Sequence, residues 1–473
     1  MQQGSEERIS QEAKIRDQKR KERRKRQMKR RRTIFFSCIA LLLVVVVFAA
    51  GKALLFRGDG GGGHTADIGD GADKPDKPAE PIELTISCVG DIMVHKSQLT
   101  AQYNSATDSY SFDDNFQYVK KYIEAADLAL CNVETTFGGG AYSGYPAFNS
   151  PESLADAISN AGFDAAITSN NHMMDTGFKG MQRTIEVLRG AGLPVTGSKL
   201  AGEDKSYIIA DVKGVKVAVV SYTYETPGVN GRRTINGNPL SDEAKSCINS
   251  FSYNSLDNDL AALKADIDSA RGDGAQVVIV YFHWGEEYQR TPNDWQQRIA
   301  RRAAEMGADA IFASHPHVLQ GVEMLEITEP GADDGRSGDT ADGTEDSIDN
   351  SQDGGSGSGQ GDGGAKTKKV PVFYSLGNFL SNQRRETLNN NAYTEQGLIA
   401  SVHLTYHPDS GELSDVSMDA MPTWLDKYTS GGRTYYAIVP LDAELEQNPA
   451  LSASGHLSRA QQAQSEIKGL LGL

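Results

Sequence analysis

Short apolar runs that stop at polar residues and lead into helix-like segments constrain the fold of this chain most. In residues 163–180, FDAAITSNNHMMDTGFKG, residues 165–168 form a predicted buried strand, and Ser169 to His172 follow before a helix begins. A strand that delivers Asn and His at its carboxyl end is an arrangement for placing ligands and a proton donor at a sheet edge. For this segment alone, an Asn-rich turn that caps the next helix, with Asp175 and Thr176 as cap candidates, is the alternative.

The same alternation continues along the chain and predicts the α/β class. Strands are predicted at residues 83–89, 127–131, 215–222, 276–282, 309–313, 370–375 and 397–406. Helices are predicted at 116–126, 151–162, 178–190, 254–271, 294–306 and 457–471. Continuous apolar runs such as QVVIVYF suit strands that are covered on both faces, so we expect buried sheets with helices outside them.

The amino-terminal segments predict a membrane anchor. Residues 1–32 hold 14 Lys/Arg and five Asp/Glu, so this tail carries +9 and the remaining chain −25 of the total of −16. Residues 33–51 contain no charge and are long enough to span a bilayer, and the basic block before them places the amino terminus in the cytoplasm. A cleaved signal peptide is the alternative, but no A-x-A site follows the apolar run. Residues 52–81, rich in Gly, Asp, Lys and Pro, predict a flexible linker.

The rest of the chain is predicted to be one extracytoplasmic domain at residues 82–440 with a tail at 441–473 that contains a helix. Residues 329–369 are acidic and rich in Gly and Ser, which predicts a disordered insertion within that domain. A basic arm on an acidic body argues against nucleic acid as a partner. The four cysteines are widely spaced without a CxxC pair, so neither a zinc knuckle nor a disulfide framework is indicated.

Residues capable of binding metal follow several of the predicted strands. Four of the nine histidines lie at these strand ends, together with carboxylate and amide side chains; the whole set is Asp91, Asn132, Glu134, Asn171, His172, His283, His315 and His317. Carboxylate, amide oxygen and imidazole together suit Mn²⁺, Zn²⁺, Fe or Mg²⁺. His95 falls beyond the first strand end and is not included. One such residue alone is most often a polar turn residue, and that reading of the whole set stays as the alternative to a metal site.

Six short blocks carry a resemblance to a known family. In chain order they are GDIM (90–93), NVE (132–134), SNNHMMDTG (169–177), HWGEEY (283–288), SHPHVLQ (314–320) and YSLGNFL (374–380). This order resembles the CapA family of capsule or poly-γ-glutamate synthesis proteins, whose domain is similar to calcineurin-like metallophosphoesterases. The resemblance covers about residues 83–440 without the acidic insertion. It implies a four-layer αββα sandwich of the metallophosphoesterase type.

The resemblance also implies a metal site with one or two divalent ions. Its implied ligands are Asp91, Glu134 in place of a bridging Asp, Asn171, His283, His315 and His317. The phosphoesterase pattern has a His two positions after the first Asp, where this chain has Met93, so one imidazole is missing. Ser314 likewise replaces the Gly of a G-H-x-H motif.

The implied chemistry is the attack of an activated water on a phosphoryl or carboxyl group. His172 matches the residue that protonates the leaving group, with Asp175 or a backbone carbonyl to orient it. Asn132, Trp284 and Asn378 are the expected substrate-contacting or supporting residues.

We therefore expect a membrane-anchored hydrolase acting on a cell-envelope polymer or its precursor. The alternative is a non-catalytic accessory protein that binds an anionic polymer and supports its assembly or export. The expected partners are the cytoplasmic membrane, the anionic polymer and, because polymer synthesis implies one, a membrane synthase complex.

Overall fold

The structure, a computed structural model, describes residues 79–229, 231–328 and 367–472. The basic tail, the predicted transmembrane segment 33–51 and most of the predicted linker lie outside these residues, as do residues 329–366 of the predicted insertion. Within the described ranges, no helix combines the length and the apolar character needed to cross a membrane.

Strands and helices alternate through most of this region. The strands are β1 Ile82–Ile92, β2 Tyr103–Asn104, β3 Ser109–Tyr110, β4 Leu128–Val133, β5 Ala165–Ile167, β6 Val195–Thr196, β7 Ile208–Val212, β8 Val215–Tyr224, β9 Thr226–Val229, β10 Arg232–Ile235, β11 Asn238–Pro239, β12 Ser250–Phe251, β13 Val277–His283, β14 Ala310–Ser314, β15 Val322–Thr328, β16 Thr367–Phe373, β17 Asn378–Leu380, β18 Gln396–Tyr406, β19 Leu413–Ser430 and β20 Arg433–Pro440. The α-helices are α1 Lys96–Gln102, α2 Asp113–Phe116, α3 Lys120–Ile123, α4 Ser153–Ala161, α5 Gly177–Ala191, α6 Asp242–Ser246, α7 Leu256–Gly272, α8 Asp294–Glu305, α9 Pro449–Ser454 and α10 Leu457–Leu471.

Two large sheets form the centre of the domain. The first has the order β20-β19-β18-β1-β4-β5-β6, with β17 also paired to β1, and its β1, β4, β5 and β6 run parallel. The second has the order β12-β8-β13-β14-β16-β15, with β7 also paired to β8, and its β8, β13, β14 and β16 run parallel. Parallel neighbours end at the same edge, so each sheet presents a row of carboxyl ends.

Alternate residues of these strands enter different layers of the core. On β1, Leu84 and Ile86 belong to the central cluster, which also contains Val217 of β8 and Ile279 of β13. The opposite face of the first sheet packs on α4 and α5, and the opposite face of the second packs on α7 and α8. Because the strand period is two residues, each sheet buries both faces and the layers follow the order helices, sheet, sheet, helices.

The carboxyl-terminal segment differs from the expected boundary at residue 440. Helix α10 spans residues 457–471 as predicted, but Ala460, Ala463 and Ile467 are buried in the central cluster with the sheet residues. The described residues from 79 onward form one compact unit. The segment after residue 440 therefore completes the core of the domain instead of trailing from it.

Three further predictions differ from the structure in this region. The predicted helix at 116–126 is two short helices, α2 and α3, joined by a turn in which the Val119 N–H donates to the Phe116 carbonyl at 3.1 Å. Strands β19 and β20 were not predicted; the first half of β19 alternates exposed polar residues with half-buried apolar ones and so lacks a continuous apolar run. Finally, residues 367–369 belong to strand β16 and not to the predicted insertion.

Candidate metal centre

The carboxyl ends of both sheets meet at one cluster of carboxylates and imidazoles. Asp91 and Glu134 come from the ends of β1 and β4 in the first sheet, and His283, His315 and His317 come from β13 and the loop after β14 in the second. Potential ligand atoms of Glu134, His283 and His315 lie within 4.8 Å of one another, and so do those of Asp91, Glu134 and His317. The sequence predicted these residues at one sheet edge, and the structure places them between two sheets.

Hydrogen bonds hold Asp91 rigidly in this cluster. The Asn132 side-chain amide donates to Asp91 Oδ1 at 2.8 Å, and His317 Nδ1 lies 3.0 Å from Asp91 Oδ2. The Asp91 backbone N–H donates to the Gly377 carbonyl at 3.0 Å. A histidine that donates one ring N–H to a carboxylate keeps the lone pair of its other nitrogen for a cation.

Glu134 gives the strongest indication that the cluster suits a cation. Its side chain is completely buried, and neither carboxylate oxygen has a hydrogen-bond partner. Burial, followed by the negative charge of Asp91, raises the pKa of Glu134 well above its ordinary value. A buried, unpartnered carboxylate is costly unless an opposite charge compensates it, so these oxygens fit a divalent metal.

The two histidines grouped with Glu134, His283 and His315, are neutral because both have lowered pKa values. Burial, followed by the neighbouring imidazoles, lowers the pKa of both His283 and His315 well below the ordinary range. His283 Nε2 lies 2.9 Å from Asn171 Oδ1 and 3.6 Å from Glu134 Oε1, so this nitrogen faces the acidic centre. Neutral imidazole is the form that binds metal.

The loop after β14 holds its two histidines in an unusual backbone conformation. The φ angles of His315 and His317 are +108° and +56°. Residues other than glycine rarely adopt positive φ, and such conformations concentrate at functional sites where the surrounding structure enforces them. Here the Ser375 hydroxyl donates to the Val318 carbonyl at 2.7 Å and the Asn378 amide donates to the His317 carbonyl at 3.3 Å.

His172 and Asp175 form a buried pair beside the cluster. His172 Nδ1 lies 2.8 Å from Asp175 Oδ2, and the Phe148 backbone N–H donates to the same oxygen at 2.6 Å. The Phe148 ring meets the His172 ring edge to face, with 4.7 Å between centroids. Asp175 thus fixes the imidazole so that Nδ1 carries a proton toward the carboxylate and Nε2 remains available.

Two of the three residues expected near substrate, Asn132 and Asn378, have supporting positions. Asn132 is fully buried and links Asp91 to Asn170, whose amide donates to Asn132 Oδ1 at 3.1 Å. Asn378 is buried and braces the His317 loop, although its Oδ1 has no partner. Asn132 thus positions Asp91, and Asn378 positions the loop that carries His317.

Trp284 is not brought to the site. Its indole is fully buried, stacks on Phe282 with 4.5 Å between ring centroids, and donates its N–H to the Tyr374 carbonyl at 3.0 Å. The expectation that Trp284 contacts substrate does not fit this position, because the side chain points into the helical side of the second sheet. Strand alternation explains the difference, since His283 and Trp284 project to opposite faces.

Sequence reasoning missed two residues near the cluster. The Tyr224 ring lies 4.7 Å from the His315 ring, and β8 extends to Tyr224, two residues beyond its predicted end. Aligning the ends of the parallel neighbours β8 and β13 would have placed Tyr224 beside His283. His95 is the second: its ring lies 5.0 Å from the Phe148 ring, which also contacts His172.

Comparisons with known proteins agree with the resemblance in the motifs. The sequence profile of the bacterial capsule synthesis protein PGA_cap matches residues 85–383. The capsule biosynthesis protein CapA of Bacillus anthracis is 30% identical over 262 residues, which are 53% of this chain and 59% of that protein. The PGA biosynthesis protein CapA of Bacillus subtilis (strain 168) is 27% identical over 261 residues, 52% of this chain and 60% of that protein. The chain thus spans about three-fifths of the length of these relatives.

Solved structures show weaker similarity. A phosphatase from Mycoplasma pneumoniae has 12% sequence identity and a TM-score of 0.36, with 72% of this chain and 95% of that chain covered. The sulfate thiohydrolase SoxB of Thermus thermophilus has 16% identity and a TM-score of 0.33, with 75% of this chain and 46% of that chain covered. Superpositions this loose carry no argument about function. The profile match over most of the described domain is sufficient by itself, and the chain belongs to the bacterial capsule synthesis protein PGA_cap family.

Proposed function

We propose that this chain is a membrane-anchored, metal-dependent hydrolase of the metallophosphoesterase type that acts on a cell-envelope polymer or its precursor. The observation that carries the proposal is the pair of unpartnered, fully buried Glu134 oxygens between three imidazoles and Asp91. The layer order of helices, sheet, sheet, helices, with ligands from both sheets, supports the four-layer αββα architecture that the motifs imply.

The residues divide into those that would hold a cation and those that would move a proton. Asp91, Glu134, Asn171, His283, His315 and His317 would hold one or two divalent ions, with Mn²⁺, Zn²⁺, Fe or Mg²⁺ as candidates. A bound divalent ion supplies Lewis-acid polarisation and water activation. The oxygen and nitrogen donors fit all four elements, so the donor set alone does not select among them.

His172 is the proposed general acid. Asp175 holds Nδ1–H, so His172 Nε2 can deliver a proton to the departing oxygen when the ring is charged and accept one when it is neutral. Asp175 has a second role. It accepts a hydrogen bond from the Phe148 backbone N–H, and this bond connects the loop at residues 138–149 to the His172–Asp175 pair. Asn132 and Asn378 keep Asp91 and the His317 loop in place and transfer no proton.

The membrane anchor and the location of the domain rest on the sequence. The uncharged residues 33–51 and the basic block before them support a single-pass protein whose main domain lies outside the cytoplasmic membrane. Carbonate extraction and protease protection of full-length chain in membranes test this part. Release by carbonate or digestion of the amino-terminal tail in sealed cells would contradict it.

The test of hydrolysis uses the full-length purified chain. Metal content is measured by mass spectrometry, and cleavage of p-nitrophenyl phosphate and bis-p-nitrophenyl phosphate is followed with Mn²⁺, Zn²⁺ and Mg²⁺. We expect metal-dependent cleavage that Glu134→Gln abolishes and His172→Ala lowers about 10²-fold or more. His403→Ala is the matched control. The His403 ring is hydrogen-bonded to Thr85 on the first sheet, and it belongs to neither of the two groups of potential metal ligands. A metal-free, inert wild-type chain would refute the proposal.

A non-catalytic role in polymer assembly is the second candidate, and Met93 favours it. Met93 is fully buried at the position where the phosphoesterase pattern has an imidazole, so one ligand is lost. The charge of −25 on the chain after residue 32 argues against direct binding of a polyanion, unless cations bridge the two. If His172→Ala restores capsule fully in a strain lacking this chain, the accessory role is correct and the catalytic proposal is wrong.

A further inference from the structure

His95 stands beside the proposed active site without a place in the metal cluster. It follows the end of β1 and forms the N-cap of α1, with its side chain half-buried. Its ring meets the Phe148 ring edge to face at 5.0 Å, and the Phe148 ring also meets the His172 ring at 4.7 Å. His95 therefore lies on the accessible side of the buried ligands, next to the proposed general acid.

The His95 side chain has two hydrogen-bonding neighbours, Gln98 of its own helix and the Asn382 backbone, and the second identifies the ring nitrogen that carries the proton. The Asn382 backbone N–H donates to His95 Nδ1 at 3.1 Å. A backbone N–H cannot be reversed as a side-chain amide can, so Nδ1 must present a lone pair and the neutral ring must carry its proton on Nε2. Burial lowers the pKa of His95 to about 4, which keeps the ring neutral near pH 7.

The Asn382 donor is itself held in place. The Tyr436 hydroxyl donates to Asn382 Oδ1 at 2.7 Å, and Lys427 Nζ lies 3.4 Å from the same oxygen. The Thr387 hydroxyl donates to the Asn382 carbonyl at 3.1 Å. The segment after β17 is thus anchored to β19 and β20, and it imposes the His95 tautomer from outside the cluster.

Two other imidazoles of the site, His317 and His172, have the opposite polarity. His317 and His172 each place Nδ1 within 3.0 Å of a carboxylate oxygen, at Asp91 and Asp175 respectively, so their Nε2 atoms keep lone pairs. His95 instead presents an N–H at Nε2. To bind a cation through Nε2, His95 would have to carry its proton on Nδ1, where it would face the Asn382 backbone N–H, and so His95 does not replace the imidazole missing at Met93.

We propose that His95 contacts the substrate directly, with its Nε2–H donating a hydrogen bond to a non-bridging phosphoryl oxygen. This assignment rests on the proposed function for the class of substrate. A neutral, preorganised donor next to the general acid stabilises negative charge as it develops on the phosphoryl group, without repelling the cation. His317 and His172 lie close enough to His95 for each of them to lower its pKa further.

Two variants separate the two ring nitrogens. His95→Asn places an amide oxygen near the position of Nδ1, which preserves the bond from Asn382 and removes the donor. His95→Gln reaches the position of Nε2 with an N–H and loses the acceptor for Asn382. A substrate donor requires the Gln variant to be the more active one, and a purely structural role requires the Asn variant to be.

Four measurements on the full-length chain test the assignment: bound metal, thermal stability, affinity of the Mn²⁺-loaded chain for inorganic phosphate by calorimetry, and kcat/KM on p-nitrophenyl phosphate. For His95→Asn we expect unchanged metal content and Tm, and phosphate affinity and kcat/KM lower by about 10- to 100-fold. For His95→Gln we expect both losses to be smaller. Nitrogen-15 spectra of the metal-free chain, labelled at histidine, should show His95 protonated at Nε2.

Metal loss in both variants would make His95 a ligand and overturn the assignment. Wild-type behaviour of His95→Asn with failure of His95→Gln would make its role structural and overturn it as well. Protonation at Nδ1 in the spectra would remove its basis. If the wild-type chain binds phosphate through His95 but cleaves no ester, the hydrolase proposal fails and the His95 assignment stands.

Discussion

The buried carboxylate of Glu134 gives the sharpest test of the metal centre, because one substitution should raise stability and lower metal binding. Without a cation, Glu134 lies fully buried near Asp91 with both oxygens unpartnered. Glu134→Gln removes the charge and keeps the shape. We therefore expect the metal-free variant to be more stable than the wild-type chain, although most buried substitutions destabilise.

The pH dependence of this gain follows from the raised pKa of Glu134, whose ordinary value is 4.5. A carboxyl with a raised folded pKa favours the folded state below the unfolded pKa, and that advantage is lost as pH rises through the folded pKa. A buried ion without a compensating charge costs several kcal/mol, so we expect a gain of about 3 kcal/mol at pH 7. The variant should gain nothing at pH 4 and about 3 kcal/mol at pH 7.

Thermal unfolding of metal-free protein at pH 4, 5.5 and 7 measures this gain, which corresponds to roughly 3 to 5 °C for a domain of this size. Glu395→Gln is the matched control, because Glu395 is as buried but contacts Arg384, Arg385 and Arg459. The control should lose about 3 to 5 kcal/mol at pH 7.

Metal binding supplies the other half of this test. Mn²⁺ at 100 times its Kd should stabilise the wild-type chain by about 2.7 kcal/mol and the Glu134→Gln variant by much less. If Glu134→Gln destabilises the metal-free chain at pH 7 as the Glu395 control does, Glu134 has a compensating partner and the reasoning is wrong. Equal stabilisation of both chains by Mn²⁺ would remove Glu134 from the ligand set.

The other predictions concern the general acid, a close backbone contact, acid stability and metal removal. Asp175→Ala should lower kcat about 10²-fold in the phosphoester assay while metal content stays constant, because His172 loses the acceptor that orients it; reduced metal content would contradict this. Gly90→Ala should lower the free energy of unfolding, measured in urea, by about 3 kcal/mol or more, because the new Cβ would lie 2.0 Å from the Gly377 carbonyl oxygen. Gly321→Ala is the control: its Cβ would meet no atom within 4 Å, so the free energy of unfolding should change by less than about 1 kcal/mol. Equal effects of the two substitutions would contradict the predicted clash at Gly90. As the pH falls from 6.5 to 4, the metal-free chain should lose about 2 kcal/mol of its free energy of unfolding through His95. The pKa of His95 falls from 6.5 to about 4 on folding, so the unfolded ring takes up the proton first. Urea titrations in which the His95→Asn variant loses stability with falling pH as steeply as the wild-type chain would contradict this. Removing metal with EDTA should lower the Tm of the loaded chain, and Mn²⁺ should restore it; a Tm that does not respond would leave the cluster without a bound ion.

Local pattern predicted most of the regular structure around the site. Strands β4, β5, β13 and β14 are buried on both faces, so their sequences are largely apolar runs. Such runs can be recognised in a sequence without the structure. Strand β19 was missed for the converse reason, since its first half alternates exposed residues with half-buried ones. The family also followed from the motifs, and the profile match confirms it.

The sequence by itself determined which side chains end the strands, because a buried apolar run must stop where polar residues begin. It could not determine that Asp91 and Glu134 meet His283, His315 and His317 across two sheets, since no local spacing encodes how separate sheets stack. Only the tertiary structure decided that Trp284 turns into the core and that the distant Asn382 backbone selects the proton position on His95. The polarity of a site depends on such long-range hydrogen bonds, and a linear pattern does not contain them.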